Sequence, residues 1–138
     1  MTQALFWLTL TALMTALFWL PYSLNRIVSR GLFAAMGNPK PGEENPYITG
    51  LSPWAQRAYF AHINAVENLA IFAALVLVAQ VANMGNNPVI ATAAMVYFFA
   101  RLLHYFVYAA GIPVARTLLF AVSWGATIVI ALKLLNVI

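Results

Sequence analysis

Apolar residues gather into four long runs, residues 4–28, 53–82, 89–110 and 113–136, with polar residues between them or near their ends. Each run holds the ~20 mainly apolar residues that an α-helix needs to cross a ~30 Å hydrocarbon core. Ser52-Pro53 offers a hydroxyl N-cap followed by proline at the first helical position, and Gly111-Ile112-Pro113 separates the last two runs. The turn from Asn83 to Pro88 is short and uncharged, so spans two and three, and likewise three and four, are expected as antiparallel neighbours. The second run reaches about 45 Å at 1.5 Å per residue, which puts its first turns, with Trp54, Gln56 and Arg57, in the membrane interface. The connection 31–52 is dense in breakers (Gly31, Gly37, Pro39, Pro41, Gly42, Pro46, Gly50) and predicts no regular element. Its charges, Lys40, Glu43 and Glu44, nearly cancel, which reads as a solvated connector, with a lid or binding loop as the alternative. The pattern predicts an all-α integral membrane four-helix bundle, a single domain over residues 1–138.

Composition removes the soluble alternative. The chain is 64% hydrophobic and only 7% charged, whereas a soluble domain carries roughly 25% charged residues. The amino terminus lacks the positive region of a signal peptide, so the first run is expected to be a retained span. A net charge of +4 on such a chain points to the anionic leaflet and an anionic ligand rather than to nucleic acid. Arg26, Arg30, Lys40 and Arg57 flank the first connection and Arg116 follows the third, against Lys133 alone on the other side. That asymmetry predicts a cytoplasmic first connection and outward-facing termini. With no cysteine and no aspartate, thiolate nucleophiles and a Ser-His-Asp triad are excluded. No metal-ligand spacing or nucleotide-binding glycine loop occurs, and Glu67 has no acidic neighbour in its span for paired-carboxylate chemistry.

Three spans carry a polar stripe. At 100° per residue, Arg57, Asn64 and Asn68 share one side of span two, Glu67 and Phe60 lie on the adjoining edge, and His62 faces elsewhere. Tyr97, Arg101, His104 and Tyr108 form one stripe of span three; Arg116, Ser123 and Thr127 form one of span four. Glu67 is the only acid inside an apolar run, and an ionisable group at that depth normally marks a site or pairs with a partner. Each stripe also has a plainer reading. Ser123 and Thr127 can glue helices, the tyrosines can sit in an interfacial belt, Arg26 and Arg30 can anchor in headgroups, and Glu67 can be the counter-ion of Arg101. Taken together, the arginines outnumber the acid and suit an anion that is stabilised electrostatically.

The run Arg57-Ala-x-x-Ala-His62-x-Asn64-x-x-Glu67-Asn68, with Ala100-Arg101-x-x-His104-x-x-x-Tyr108 and Gly111-Ile-Pro-x-x-Arg116-Thr117, resembles the MAPEG superfamily of membrane-associated proteins in eicosanoid and glutathione metabolism. It looks especially like the bacterial branch and the microsomal glutathione transferases. The resemblance covers essentially the whole chain. It implies a homotrimer of four-helix subunits in a bacterial inner membrane, both termini periplasmic, with glutathione as co-substrate between subunits and a lipophilic electrophile arriving through the lipid. Asn64, Glu67, Arg101 and Tyr108 then look like glutathione contacts, Arg116 like the arginine beside the thiol, and Arg26 or Arg30 like the contribution of span one. Arg57 and His104, within the same blocks, complete the candidate set. One position departs: the family commonly carries a basic residue where Phe60 stands, which removes one expected carboxylate contact. A non-catalytic binder of lipid or of a partner membrane protein is the alternative.

Overall fold

The computed structural model describes residues 1–38, 40–42, 44–45 and 47–138; Pro39, Glu43 and Pro46, three of the connection's breakers and charges, lie outside the described residues. Among the described residues six helices follow one another: α1 (Gln3–Leu17), α2 (Trp19–Arg30), α3 (Leu32–Met36), α4 (Pro53–Val81), α5 (Pro88–Ala110) and α6 (Pro113–Leu134). Taking α1 and α2 as one span, four helices among the described residues are long and apolar enough to cross a membrane.

The first span is interrupted at Phe18, where a continuous helix was expected. The chemistry is local: Pro21 has no N–H for the carbonyl of Leu17, four residues back. Beside the break, Tyr105 of α5 donates its hydroxyl to the next carbonyl along, that of Phe18, at 2.9 Å. The two rings stack at 3.9 Å and 7°. Beyond Arg30, Gly31 adopts φ 84°, a left-handed conformation that glycine takes without steric cost, and the chain turns into α3. That short helix corrects the expectation of a connection without regular structure.

Ser52 and Pro53 do start α4, but the Ser52 hydroxyl does not cap it. It accepts instead from Asn25 Nδ2 at 3.0 Å, while Ser52 N–H donates to Asn25 Oδ1 at 3.0 Å. The connection is thereby clipped to α2. Along α4, Ala55, Ala58, Ala61 and Ala65 are buried, small side chains that let α1, α2 and α4 approach closely. At the far end of α4, Asn87 caps α5 in the ordinary way, its Oδ1 accepting from Val89 N–H at 3.0 Å. The amino terminus docks on this turn: Ala4 N–H donates to Gly85 O and Thr2 Oγ1 to Gln80 Oε1 at 2.8 Å. A Cβ on Gly85 would lie 2.6 Å from Thr2 Oγ1, so only glycine admits that docking.

α5 lies against α6, α4 and α1, and α4 also reaches α6, whereas the backbone of α2 runs close to α1, α3 and α4 but not to α5 or α6. The fold therefore presents α4 with two different neighbours at the end that carries the long connection. The α5–α6 pair lies on one side and α2 with the connection on the other. The core is likewise divided, Phe72, Val76, Ile90, Tyr97 and Ile130 at the terminal end and Met14, Phe18, Tyr22, Leu51 and Tyr105 at the connection end.

Candidate functional site

The polar stripe of α5 turns inward. Tyr97, Arg101 and His104 are all buried, the first against Phe72 of α4 in a parallel stack at 3.8 Å and 5°. Arg101 donates from one terminal nitrogen to Asn64 Oδ1 of α4 at 2.7 Å. Its Nε and other terminal nitrogen are buried without a hydrogen-bond partner, as is the Tyr97 hydroxyl. One turn on, His104 stands edge-on to the Tyr108 ring at 5.6 Å, with Phe120 of α6 at 6.4 Å. Arg116, in the first turn of α6, places its guanidinium 4.6 Å from the centre of that same Tyr108 ring. An aromatic face attracts a cation and leaves its N–H edge available. Asn64, Arg101, His104, Tyr108 and Arg116 thus form one continuous line from mid-span to the connection end.

Arg116 reaches this line because of the elbow before it. Gly111 ends α5 in the left-handed region (φ 78°), and Pro113 starts α6 two residues later. Arg57 of α4 secures the elbow, its Nε donating to the carbonyl of Ala109 at 2.8 Å. A cation at a helix carboxyl terminus also meets the negative end of the helix dipole. A Cβ at Gly111 would approach Arg57 Nε to 3.1 Å. Arg57 sits near the line through this cap; one of its donors is already spent on backbone.

The remaining candidates lie elsewhere. Glu67 is exposed on the outer side of α4, in a stripe shared with Phe60, Ile63, Ile71 and Val78, all exposed. It makes no ion pair with Arg101, so the plain counter-ion reading fails within one chain. Arg26 donates to the carbonyl of Tyr47 and lies 5.8 Å over its ring. Arg30 runs alongside Gly50, 3.4 Å from where a Cβ would stand. Both belong to α2, whose backbone approaches neither α5 nor α6 closely. Ser123 and Thr127 are buried, but their hydroxyls return to their own helix at 2.9 and 3.0 Å.

A second polar cluster escaped the helical-wheel reading. His62, which faces away from Asn64, accepts or donates at 2.8 Å with the Tyr22 hydroxyl. Tyr59 stands edge-on to Tyr22 at 5.4 Å, and Tyr47 from the connection stacks parallel to Tyr59 at 6.0 Å. The only sequence signal for it was a histidine pointing off the main stripe. Its partners come from α2 and the connection, whose placement no periodicity encodes. Among the described residues, no three His, Cys, Asp or Glu side chains gather as a metal site would require.

The model of the MAPEG family matches residues 4–136. The chain belongs to that family. No curated protein and no solved structure matches it. Membership supports, at family level, a membrane-bound function in glutathione or eicosanoid metabolism. The sequence blocks containing Asn64 and Arg101 lie side by side on α4 and α5.

Proposed function

We propose that this MAPEG protein is a glutathione transferase or glutathione-dependent peroxidase acting on lipophilic electrophiles, with Arg116 stabilising the glutathione thiolate. The observation that carries the reading is the line Asn64–Arg101–His104–Tyr108–Arg116, two guanidinium groups with no carboxylate between them. Glutathione brings two carboxylates, an ammonium and a thiol. Arginine forks suit the carboxylates. A guanidinium beside the sulfur favours the ionised, nucleophilic form. In conjugation the thiolate sulfur bonds to the electrophilic carbon, the leaving group departs with its electron pair, and the thiol proton passes to solvent. In peroxide reduction the sulfur attacks one peroxide oxygen, the O–O bond breaks to give the alcohol, and a second glutathione closes the disulfide with loss of water.

The site is completed by other copies of the chain in a homotrimer. Supporting this, Glu67 stands outward in an apolar stripe, where a carboxylate at membrane depth needs a polar partner. Glu67 takes the ammonium, and Arg26 or Arg30 reaches the ligand from the α2 side of a neighbour. The chain sits in a bacterial inner membrane with the connection end cytoplasmic and both termini periplasmic, and the electrophile enters from lipid.

The test is glutathione titration of the purified, reconstituted protein with thiolate ultraviolet absorbance, alongside native mass spectrometry. Saturable binding, a thiolate band lost in Arg116→Ala, and a trimer are expected; absence of binding at millimolar glutathione rejects the reading. One observation favours a second function, a non-catalytic membrane binding module. Phe60, at the position where the family commonly has a basic residue, is 42% exposed beside Glu67. Binding without an Arg116-dependent thiolate band is the outcome that selects it.

A further inference from the structure

Arg101 was expected to touch the ligand directly, yet it is only 1% exposed in a single chain. Its Nε and one terminal nitrogen are fully enclosed. A molecule lying on the surface of the subunit therefore meets half-buried Asn64 before it reaches the Arg101 guanidinium. Tyr97, one turn away, is 2% exposed and stacked on Phe72, so the α4–α5 seam is closed on that side as well.

The 2.7 Å bond between them has a directional consequence. Guanidinium has donors only, so the Asn64 atom facing it must be the carbonyl oxygen; the flipped amide would set donor against donor. Asn64 cannot rotate without stranding a third nitrogen of a buried cation. Its Nδ2 is thereby held on the side away from Arg101 as a fixed pair of N–H donors. Asn68 does not compete for this group, since its own amide donates to the Asn64 backbone carbonyl at 2.8 Å.

We infer that Arg101 is a positioning residue that locks the Asn64 amide so that the site offers the ligand a donor, making this subsite selective for a hydrogen-bond acceptor such as a carboxylate or peptide carbonyl. This rests on the proposed glutathione function for the identity of the ligand but not for the locking itself. Arg101 acts through Asn64, so its removal and that of Asn64 act on one and the same contact.

Two measurements decide it, using the reconstituted full-length protein. In a double-mutant cycle on glutathione affinity, Asn64→Ala and Arg101→Met each weaken binding about tenfold, the worth of one good hydrogen bond. The double variant is no weaker than Asn64→Ala alone, and Arg101→Lys, which keeps a donor, retains most of the affinity. Additive losses, about a hundredfold in the double variant, overturn the proposal in favour of direct ligand contact by Arg101. The second measurement needs no ligand: nuclear magnetic resonance of protein labelled with 15N-asparagine, following the Asn64 side-chain amide pair. A well-separated pair in the wild type and Arg101→Lys that shifts and broadens in Arg101→Met supports locking; a pair indifferent to Arg101→Met overturns it. If the wild type binds no glutathione, the function proposed above falls while the amide spectrum still decides the role of Arg101. Unchanged thermal midpoint and oligomer mass in Arg101→Met separate positioning from a general structural role.

Discussion

Two arginine-bearing polar clusters sit at the same end of this bundle, on different sides of α4, and they use their arginines differently. On the α2 side, Arg26 is engaged with the Tyr47 carbonyl and ring, and the Tyr22–His62 bond and the Tyr47–Tyr59 stack tie helices to the connection. On the α5–α6 side, Arg101 keeps two buried nitrogens without partners and Arg116 rests on an aromatic face. Arg26 also keeps a buried Nε without a hydrogen-bond partner, but the groups it engages all belong to the connection. Arg116, held by the Tyr108 ring, keeps its N–H edge for an anion, whereas Arg101 is enclosed and turned to Asn64. Within one chain the first cluster ties α2 to the connection, while the second lines up Arg101, His104, Tyr108 and Arg116 along α5 and α6.

The sharpest way to break that contrast is Arg116→Ala. Loss of a charge aimed at a developing anion costs about a hundredfold or more in turnover, and stopped-flow measurement of thiolate formation should show it with glutathione affinity changed only severalfold. Glu67→Gln comes next. If the exposed carboxylate meets the ammonium across a subunit contact, glutathione affinity falls about tenfold or more, as for a charged hydrogen bond, measured by isothermal titration calorimetry. Unchanged affinity would return Glu67 to a purely structural role between subunits.

Gly111→Ala probes the elbow that the α5–α6 cluster depends on. Forcing a side chain into φ 78° and against Arg57 should cost about 1–2 kcal/mol of stability, seen as a lower thermal midpoint in lipid, with turnover reduced because Arg116 is displaced. The smallest effect belongs to Tyr22→Phe, which removes the 2.8 Å bond to His62. It should cost about 1 kcal/mol and increase proteolysis within the connection, while the thiolate band stays as in the wild type. A change in that band would show the two clusters to be one functional unit.

Four apolar helices were legible because the membrane demands a long uninterrupted run for each, and that demand is written in composition and spacing alone. The stripe Tyr97, Arg101, His104, Tyr108 was legible for a similar reason: residues three, four and seven apart on one helix share a side whatever surrounds them. The break at Phe18 was written less plainly. Pro21 signals a bond lost at the Leu17 carbonyl, but nothing in the sequence announced that Tyr105 would arrive from α5 to stack on Phe18 and donate to its carbonyl. Ser52 shows the limit more clearly still, since a hydroxyl well placed for its own helix was taken by Asn25, 27 residues earlier in the chain.

What the sequence determined by itself was therefore everything that follows from period and polarity: membrane residence, helical class, which residues share a helix face, and the family blocks around Asn64 and Arg101. Tertiary structure decided which faces meet. It buried Arg101 behind Asn64, turned Glu67 outward and bound Arg26 to the connection. Helical period sets the angle between residues on one helix but leaves free the rotation of that helix against its neighbours. Packing of small side chains along α4 and the elbow at Gly111 set that rotation.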